Sequence, residues 1–186
     1  MSAPSTLSGV AVTKARLQIP AFGIPFADVE LAQPTTLTGR VSLVLRALTW
    51  IGTVLAGGTD NARSRYRLVG GGGGWGKTVG SKGYANDAGV KRSTILTDVA
   101  SACGETMGTI PTGTVGGSFV RAEAAAVAVL EELHSRGWYV DEAGVTQIGS
   151  RTVSTYDGTA PRVDADPAQS RIELAADEIA SLLPGI

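Results

Sequence analysis

An α+β fold, a small antiparallel β-barrel with an inserted or appended helix–hairpin α/β unit, is what this sequence predicts. Three observations carry the prediction. Glycine fills 25 of 186 positions and aromatic residues only 5%, yet 43% of the chain is hydrophobic. That mixture suits short strands and turns, and it excludes a disordered or acidic-tail protein because there is enough apolar surface to bury. Five short apolar runs between Arg16 and Val69 are broken by Gly, Pro, Asn and Asp. Beyond Ser93 the apolar period becomes helical, and a hairpin pattern follows.

Residues 1–12 are small and polar and are expected to form a flexible arm. A barrel domain is expected over residues 13–82. Arg16-Leu-Gln-Ile19 alternates as far as Pro20, and Phe26-Ala-Asp-Val-Glu-Leu31 stops at Pro34. Thr38–Arg46, Trp50–Ala56 and Arg63–Val69 complete the five strands. In the last of them Arg63, Arg65 and Arg67 share one face, with Tyr66 and Leu68 on the other. The simplest reading is a solvated outer face over a buried inner one.

An α/β domain is expected over residues 83–150. Ser93 reads as an N-cap, Ile95, Leu96, Val99 and Cys103 recur at helical spacing, and Gly104 is the stop. Cys103 on that stripe is read as packing, not as a nucleophile. A longer Ala-rich helix is expected over Val120–Arg136, burying Val127, Leu130 and Leu133 and leaving Glu131 and Glu132 solvated. His134, beside Arg136, would sit in its last turn, where a cation suits the helix dipole. Gly137–Val140 and Val145–Ile148 flank the turn Asp141–Gly144 and read as a hairpin. Residues 151–186 are expected to be a strand and turn segment returning to the barrel. Within it Asp157–Ser170 is turn-rich, Ile172 and Leu174 alternate like a strand, and Ile179, Leu182 and Leu183 fit a helical turn.

Counting excludes several functions. One cysteine and one histidine rule out a disulfide framework, a zinc finger and any Cys/His metal cluster. No carboxylate pair or nucleophile–base set stands out, so no catalytic residue, cofactor or metal is expected. The start carries no charged, apolar leader. The most membrane-like stretch, Val41–Gly58, is interrupted by Arg46, Gly52, Gly57 and Gly58 and reads as two buried strands of a soluble protein.

Formal net charge is −1, but residues 1–120 hold 11 Lys/Arg against 6 Asp/Glu, and residues 121–186 hold 5 against 11. Such a split suits stacking between unlike faces of neighbouring subunits, or contact with nucleic acid. A single-stranded nucleic-acid-binding barrel would use Arg63, Arg65, Arg67 and Trp75, but only Tyr66 and Trp75 are near to stack on bases.

Gly71-Gly-Gly-Gly-Trp-Gly76-Lys77-Thr78 matches the G-x-x-x-x-G-K-[ST] phosphate loop, which offers an alternative as a nucleotide-binding protein. Such a loop must open a helix whose N-terminus helps hold the anion. Here Val79-Gly-Ser-Lys-Gly83 follows, with two glycines hostile to a helix. The structural reading is preferred: Gly70, Gly71, Gly72, Gly73 and Gly74 permit close backbone approach, and Trp75 offers an anchor over a barrel mouth or at a subunit contact. Together with Arg63, Arg65 and Arg67 these are the candidate assembly contacts, and Lys77 is expected to be an exposed loop charge.

The order of motifs is itself informative. Asp28-Val-Glu-Leu31 precedes Gly39-Arg-Val-Ser-Leu-Val-Leu45, Gly52-Thr-Val54 and Gly73-Gly-Trp75. Tyr84, Gly89-Val90, a helix ending Ala102-Cys-Gly104, an Ala/Leu helix, Gly137-Trp-Tyr, Glu142-Ala-Gly144 and Leu183-Pro-Gly185 follow. This order resembles the tail or baseplate hub proteins of long-tailed bacteriophages, relatives of the base of type VI secretion spikes. The resemblance implies a barrel interrupted by an α/β insertion and no catalytic residues. It also implies a homo-oligomeric ring in the virion tail, assembled in the host cytoplasm and contacting tube, spike and neighbouring baseplate proteins. Nucleic acid and membrane are not among the partners it implies. A second barrel commonly follows in the family, and this sequence departs from that pattern by stopping at Ile186, where the strands of that barrel are expected.

Overall fold

The computed structural model describes residues 4–45, 48–60 and 62–151, with the strands Arg162–Asp166 and Arg171–Leu174. Six strands close an antiparallel barrel: β1 (Thr6–Leu7), β2 (Val10–Gln18), β3 (Phe26–Leu31), β4 (Arg40–Leu45), β5 (Leu48–Asp60) and β6 (Arg63–Gly70). Around the barrel the order is β1–β2–β3–β6–β5–β4, and β4 pairs back onto β1. Alternation dictates what faces in. Ala27, Val29 and Leu31 of β3 are buried, as are Ser64, Tyr66 and Leu68 of β6. All of these but Ser64, a buried polar residue, meet Leu7, Val41, Leu43 and Trp50 in one apolar core. Side chains fill that interior so closely that a Cβ on Gly52 would lie 2.6 Å from the Trp50 ring.

The expected arm at residues 1–12 is therefore corrected. Thr6–Leu7 and Val10–Gln18 are barrel strands, and Leu7 is fully buried. The short β1 bridges β2 and β4 and removes two free sheet edges, which is a stronger drive than the polarity of its neighbours.

The second unit follows directly from β6, so the boundary falls near residue 70 and not at 82. It contains β7 (Thr78–Val79), β8 (Lys82–Ala85), α1 (Arg92–Cys103), β9 (Ser118–Arg121), β10 (Ala124–Ala125), α2 (Ala126–Leu133), β11 (Trp138–Val140) and β12 (Thr146–Ile148). Strands β7 and β10, β8 and β9, and β11 and β12 form three antiparallel pairs. Ile95, Leu96, Val99 and Cys103 from α1, with Ala126, Val129 and Leu130 from α2, pack around Trp75, Trp138 and Val140. Cys103 is core, as expected. Helix α1 ends at Gly104, whose left-handed backbone (φ 82°) returns its N–H to Ala100 and Ser101. Its N-cap is Lys91, not Ser93.

The longer helix is corrected to eight residues. Its expected first turns are β9 and β10, because Arg121 is drawn inward and Ala124–Ala125 pairs with Thr78–Val79. The expected hairpin is present. Asp141 ties its turn by accepting from the Val145 N–H and the Gln147 amide, both at 2.8 Å.

That hairpin joins the two units. The Ile51 N–H donates to the Glu142 carbonyl at 2.8 Å, and Arg40 donates to the Ala143 carbonyl at 2.8 Å. Gly23, in the loop between β2 and β3, exchanges backbone bonds with Trp138 and Val140. Arg151 lies over the Tyr139 ring at 4.3 Å and binds Glu142 and the Val140 carbonyl, each at 2.6 Å.

β13 (Arg162–Asp166) and β14 (Arg171–Leu174) pair with each other, and the rest of the segment expected to return to the barrel, beyond Arg151, lies outside the described residues. β13 also falls where only turns were expected. The helical turn proposed for Ile179, Leu182 and Leu183 lies outside the described residues. Among the described residues, no helix is long and apolar enough to cross a membrane.

Candidate functional site

The phosphate-loop match is occupied from within. Glu105, just past α1, turns its carboxylate into the loop and accepts from the Gly72 N–H at 2.8 Å and the Gly74 N–H at 2.5 Å. The backbone donors that would cradle a phosphate are already paired with an internal anion. Lys77 points at the C-terminus of α1 and donates to the Cys103 carbonyl at 3.1 Å, where a cation complements the helix dipole. As expected, it is an exposed charge of the loop, and its ammonium caps the helix. Thr78 begins β7, a strand. The nucleotide alternative is thus overturned: the loop meets a carboxylate and leads into a strand.

The glycines follow from the same geometry. A Cβ on Gly74 would run into the Cys103 carbonyl, and one on Gly71 would lie 2.6 Å from Glu105 Oε2. Close approach, anticipated for this run, is made to the molecule's own α1 terminus. Trp75 is likewise spent internally. It is 1% exposed, packs 6.3 Å from Trp138, and donates from Nε1 to Thr146 Oγ1 at 2.9 Å. The expectation that Trp75 anchors a neighbour is corrected: the folded chain does not present it. Gly70, Gly71 and Gly74 are buried with it, and Gly72 and Gly73 are partly covered.

A second polar cluster ties β8 and β9 to α1. Asp98 accepts from Lys82 and from the Tyr84 hydroxyl, each at 2.6 Å, and from Arg121 at 3.1 Å. Arg121 also donates to the Gly80 carbonyl at 2.8 Å. The bonds from Lys82 and Tyr84 hold the Asp98 carboxyl below its usual range. Burial, helped by the bond to Asp98, pushes the Tyr84 hydroxyl up to about 12. Each charge here has a partner, so the cluster holds structure together. His134 ends α2, at the helix end the spacing predicts. Burial, with Arg92 nearby, pushes its imidazole down.

The arginines of β6 are the groups the fold leaves accessible. Arg63, Arg65 and Arg67 point outward with side chains 63%, 78% and 55% exposed. Two rows of charge cross the outer sheet. Lys14, Glu30 and Arg65 stand in register on β2, β3 and β6, ending at Gly58 of β5. Arg16, Asp28 and Arg67 form the next row, ending at Ala56. Arg67 grips Asp28 with two bonds of 2.8 Å, and this pairing lowers the Asp28 carboxyl. Glu30 is shared between Arg63 at 2.6 Å and Arg65 at 3.2 Å, which lowers it too. A depression of about 630 Å³ lies over these rows, bounded by Lys14, Arg16, Arg65, Arg67, Ala56 and Gly57. Four cations face two carboxylates there. Tyr66 faces the core and Trp75 lies in the other unit, so neither aromatic expected to stack on bases is on this face, and Phe26 of β3 is covered there by Arg67 at 5.7 Å.

No family model and no curated protein sequence matches the chain. Among solved structures, it is similar to the 43 kDa tail protein of prophage MuSo2 from Shewanella oneidensis, with a TM-score of 0.50 and 12% identity. The match covers 81% of this chain and 55% of the tail protein, so the chain spans about half the length of that neighbour. At this identity the likeness is one of fold: the barrel and its helix-bearing unit share their architecture with a phage tail protein.

Proposed function

We propose that the chain is a structural subunit of a bacteriophage tail. In this reading it is a hub or spike-adjacent adaptor at the distal tail or baseplate, linking tail tube to central spike. The supporting observation is the architecture it shares with a prophage tail protein over most of its length. The motif order from Asp28 to Gly144 points the same way. The proposal assigns no enzymatic activity and no cofactor. Its partners are other tail proteins and neighbouring copies in a ring, in the virion after assembly in the host cytoplasm. The exposed basic face of β2, β3 and β6 is the surface offered for such contacts, since the glycine loop is closed by Glu105. The test is to tag the chain in the genome that encodes it, purify particles, and locate the tag by gold labelling. Labelling at the tail tip is expected. Particles that lack the protein, or carry it on the head, would refute the proposal.

A further inference from the structure

Strand β5 runs on past one of its neighbours. β4 pairs with it from Leu48 to Thr53 only, while β6 follows it to Asp60. The pairing with β6 shifts at Leu55, and from there to Asp60 every residue of β5 is exposed. The segment leading into β4 does not continue the pairing. Thr35 and Leu37 bond to the inward-facing side chains of Ser64 and Tyr66, and Thr59 reaches the Thr35 carbonyl by its hydroxyl at 3.4 Å. The last backbone bond on this side runs from the Val54 N–H to the Gly39 carbonyl. Among the described residues, the outer edge of β5 beyond Val54 has no backbone partner. Ala56, Gly57, Gly58 and Thr59 carry none of the lysines or prolines that blunt such an edge.

The two charge rows stop at this same edge. From β3 outward they read Glu30, Arg65, Gly58 and Asp28, Arg67, Ala56, so each arginine has an acid on its β3 side and an uncharged small residue on its β5 side. Arg65 is the less satisfied, holding Glu30 through one 3.2 Å bond while Arg63 takes the other oxygen at 2.6 Å. The depression of about 630 Å³ extends over Ala56 and Gly57. A strand added to β5 would set alternate side chains on this outer face, next in line after Gly58 and Ala56. It would lie two strand spacings, about 10 Å, from β6, a gap that a glutamate and an arginine side chain close together over a glycine or an alanine. Leu55, 62% exposed, offers an apolar contact where the edge begins.

We propose that the β5 edge from Ala56 to Thr59 takes an added strand from a partner protein, an extended acidic segment whose glutamates, at alternate positions, complete the rows at Arg65 and Arg67. Backbone bonds to the edge supply the pairing, and the arginines select the charge and the register. The proposal does not rest on the tail reading, because the edge and the rows belong to the single folded chain.

A labelled synthetic peptide of four Glu-Val repeats tests it on the full chain, by fluorescence polarisation and by amide exchange at Gly57, Gly58 and Thr59. Binding is expected, weakening as salt rises and slowing exchange at those amides. Four Lys-Val repeats should bind about tenfold or more weakly, and Arg65→Glu should cost the Glu-Val peptide about as much. Methylating the backbone nitrogens of the peptide's glutamates, or those of its valines, blocks one edge of the added strand or the other, so at least one of the two should abolish binding. Thermal unfolding is the folding control, and Arg67→Glu replaces Arg65→Glu if that variant does not fold. A Glu-Val peptide that does not bind overturns the proposal. So does binding untouched by the charge reversal or by both methylations, which would leave only a diffuse attraction of charge. Tighter binding of a single-stranded oligonucleotide would assign the face to nucleic acid and overturn it as well. Gold labelling at the tail tip can succeed or fail independently of each of these results.

Discussion

The loop after β6 and the outer face of β6 are adjacent in sequence and treat their charges in opposite ways. In the loop a carboxylate, a lysine and a row of backbone donors meet one another, and Glu105 and Lys77 are consumed in closing the end of α1. On the strand, three arginines stand in solvent, tethered to two carboxylates they outnumber. The loop carries the motif that reads as a binding site and binds only itself. The strand carries no motif and keeps its charge accessible. What separates them is whether the polar groups are already satisfied, which depends on residues distant in the chain.

Substitutions that probe this contrast should rank by how far each group is enclosed. Trp75→Ala should be the most damaging, at about 3–5 kcal/mol, because it empties the middle of the second core and orphans Thr146. Denaturant titration measures it. A cost below about 0.5 kcal/mol would mean that Trp75 is a surface anchor after all.

Leu130→Ala, also fully buried, should lose about 2–5 kcal/mol. Its neighbour Glu131 is exposed, yet its carboxylate accepts from Trp138 Nε1 at 2.7 Å. Glu131→Ala should therefore cost about 1 kcal/mol, more than an ordinary surface change. Equal losses at the two positions would show that the face of α2 is misplaced.

Acid should act on the second unit through His134. Its folded imidazole is held below the ordinary 6.5, so the unfolded chain takes up the proton more readily. The contribution is intact above pH 6.5 and declines as pH falls towards the depressed folded value. His134→Gln should flatten the fall in stability between about pH 7 and about pH 5. An unchanged slope in that variant would show that His134 is not the responsible group.

Arg65→Ala should sit at the bottom of the scale, within about 0.5 kcal/mol, because an exposed pair is screened and entropically costly. A large loss there would mean that the basic face supports the barrel rather than being available to a partner.

Legibility in the sequence followed locality. Strands β3 and β6 were readable because each alternates strictly against one core, and the hairpin because Asp141–Gly144 is a local turn. Strand β1 was not, since two residues have no period and its pairing with β4 is long-range. Alanine hid the start of α2: Ala124–Ala125 serves a strand as well as a helix, and the inward pull on Arg121 comes from Asp98 and Gly80. The false phosphate site was doubted on the glycines after Lys77. The group that closes it, Glu105, lies 31 residues from Gly74 and gave no signal of its own.

Amide hydrogen exchange at Gly72 and Gly74 in the isolated chain tests the closed loop most directly. With Glu105 accepting from both, these amides should exchange slowly, as amides within α1 do. In Glu105→Ala they should become fast and stability should fall by about 1–3 kcal/mol, while the barrel amides of β3 and β6 keep their protection. Fast exchange at Gly72 and Gly74 in the unaltered chain would contradict the account, because the loop would then be open to an outside anion.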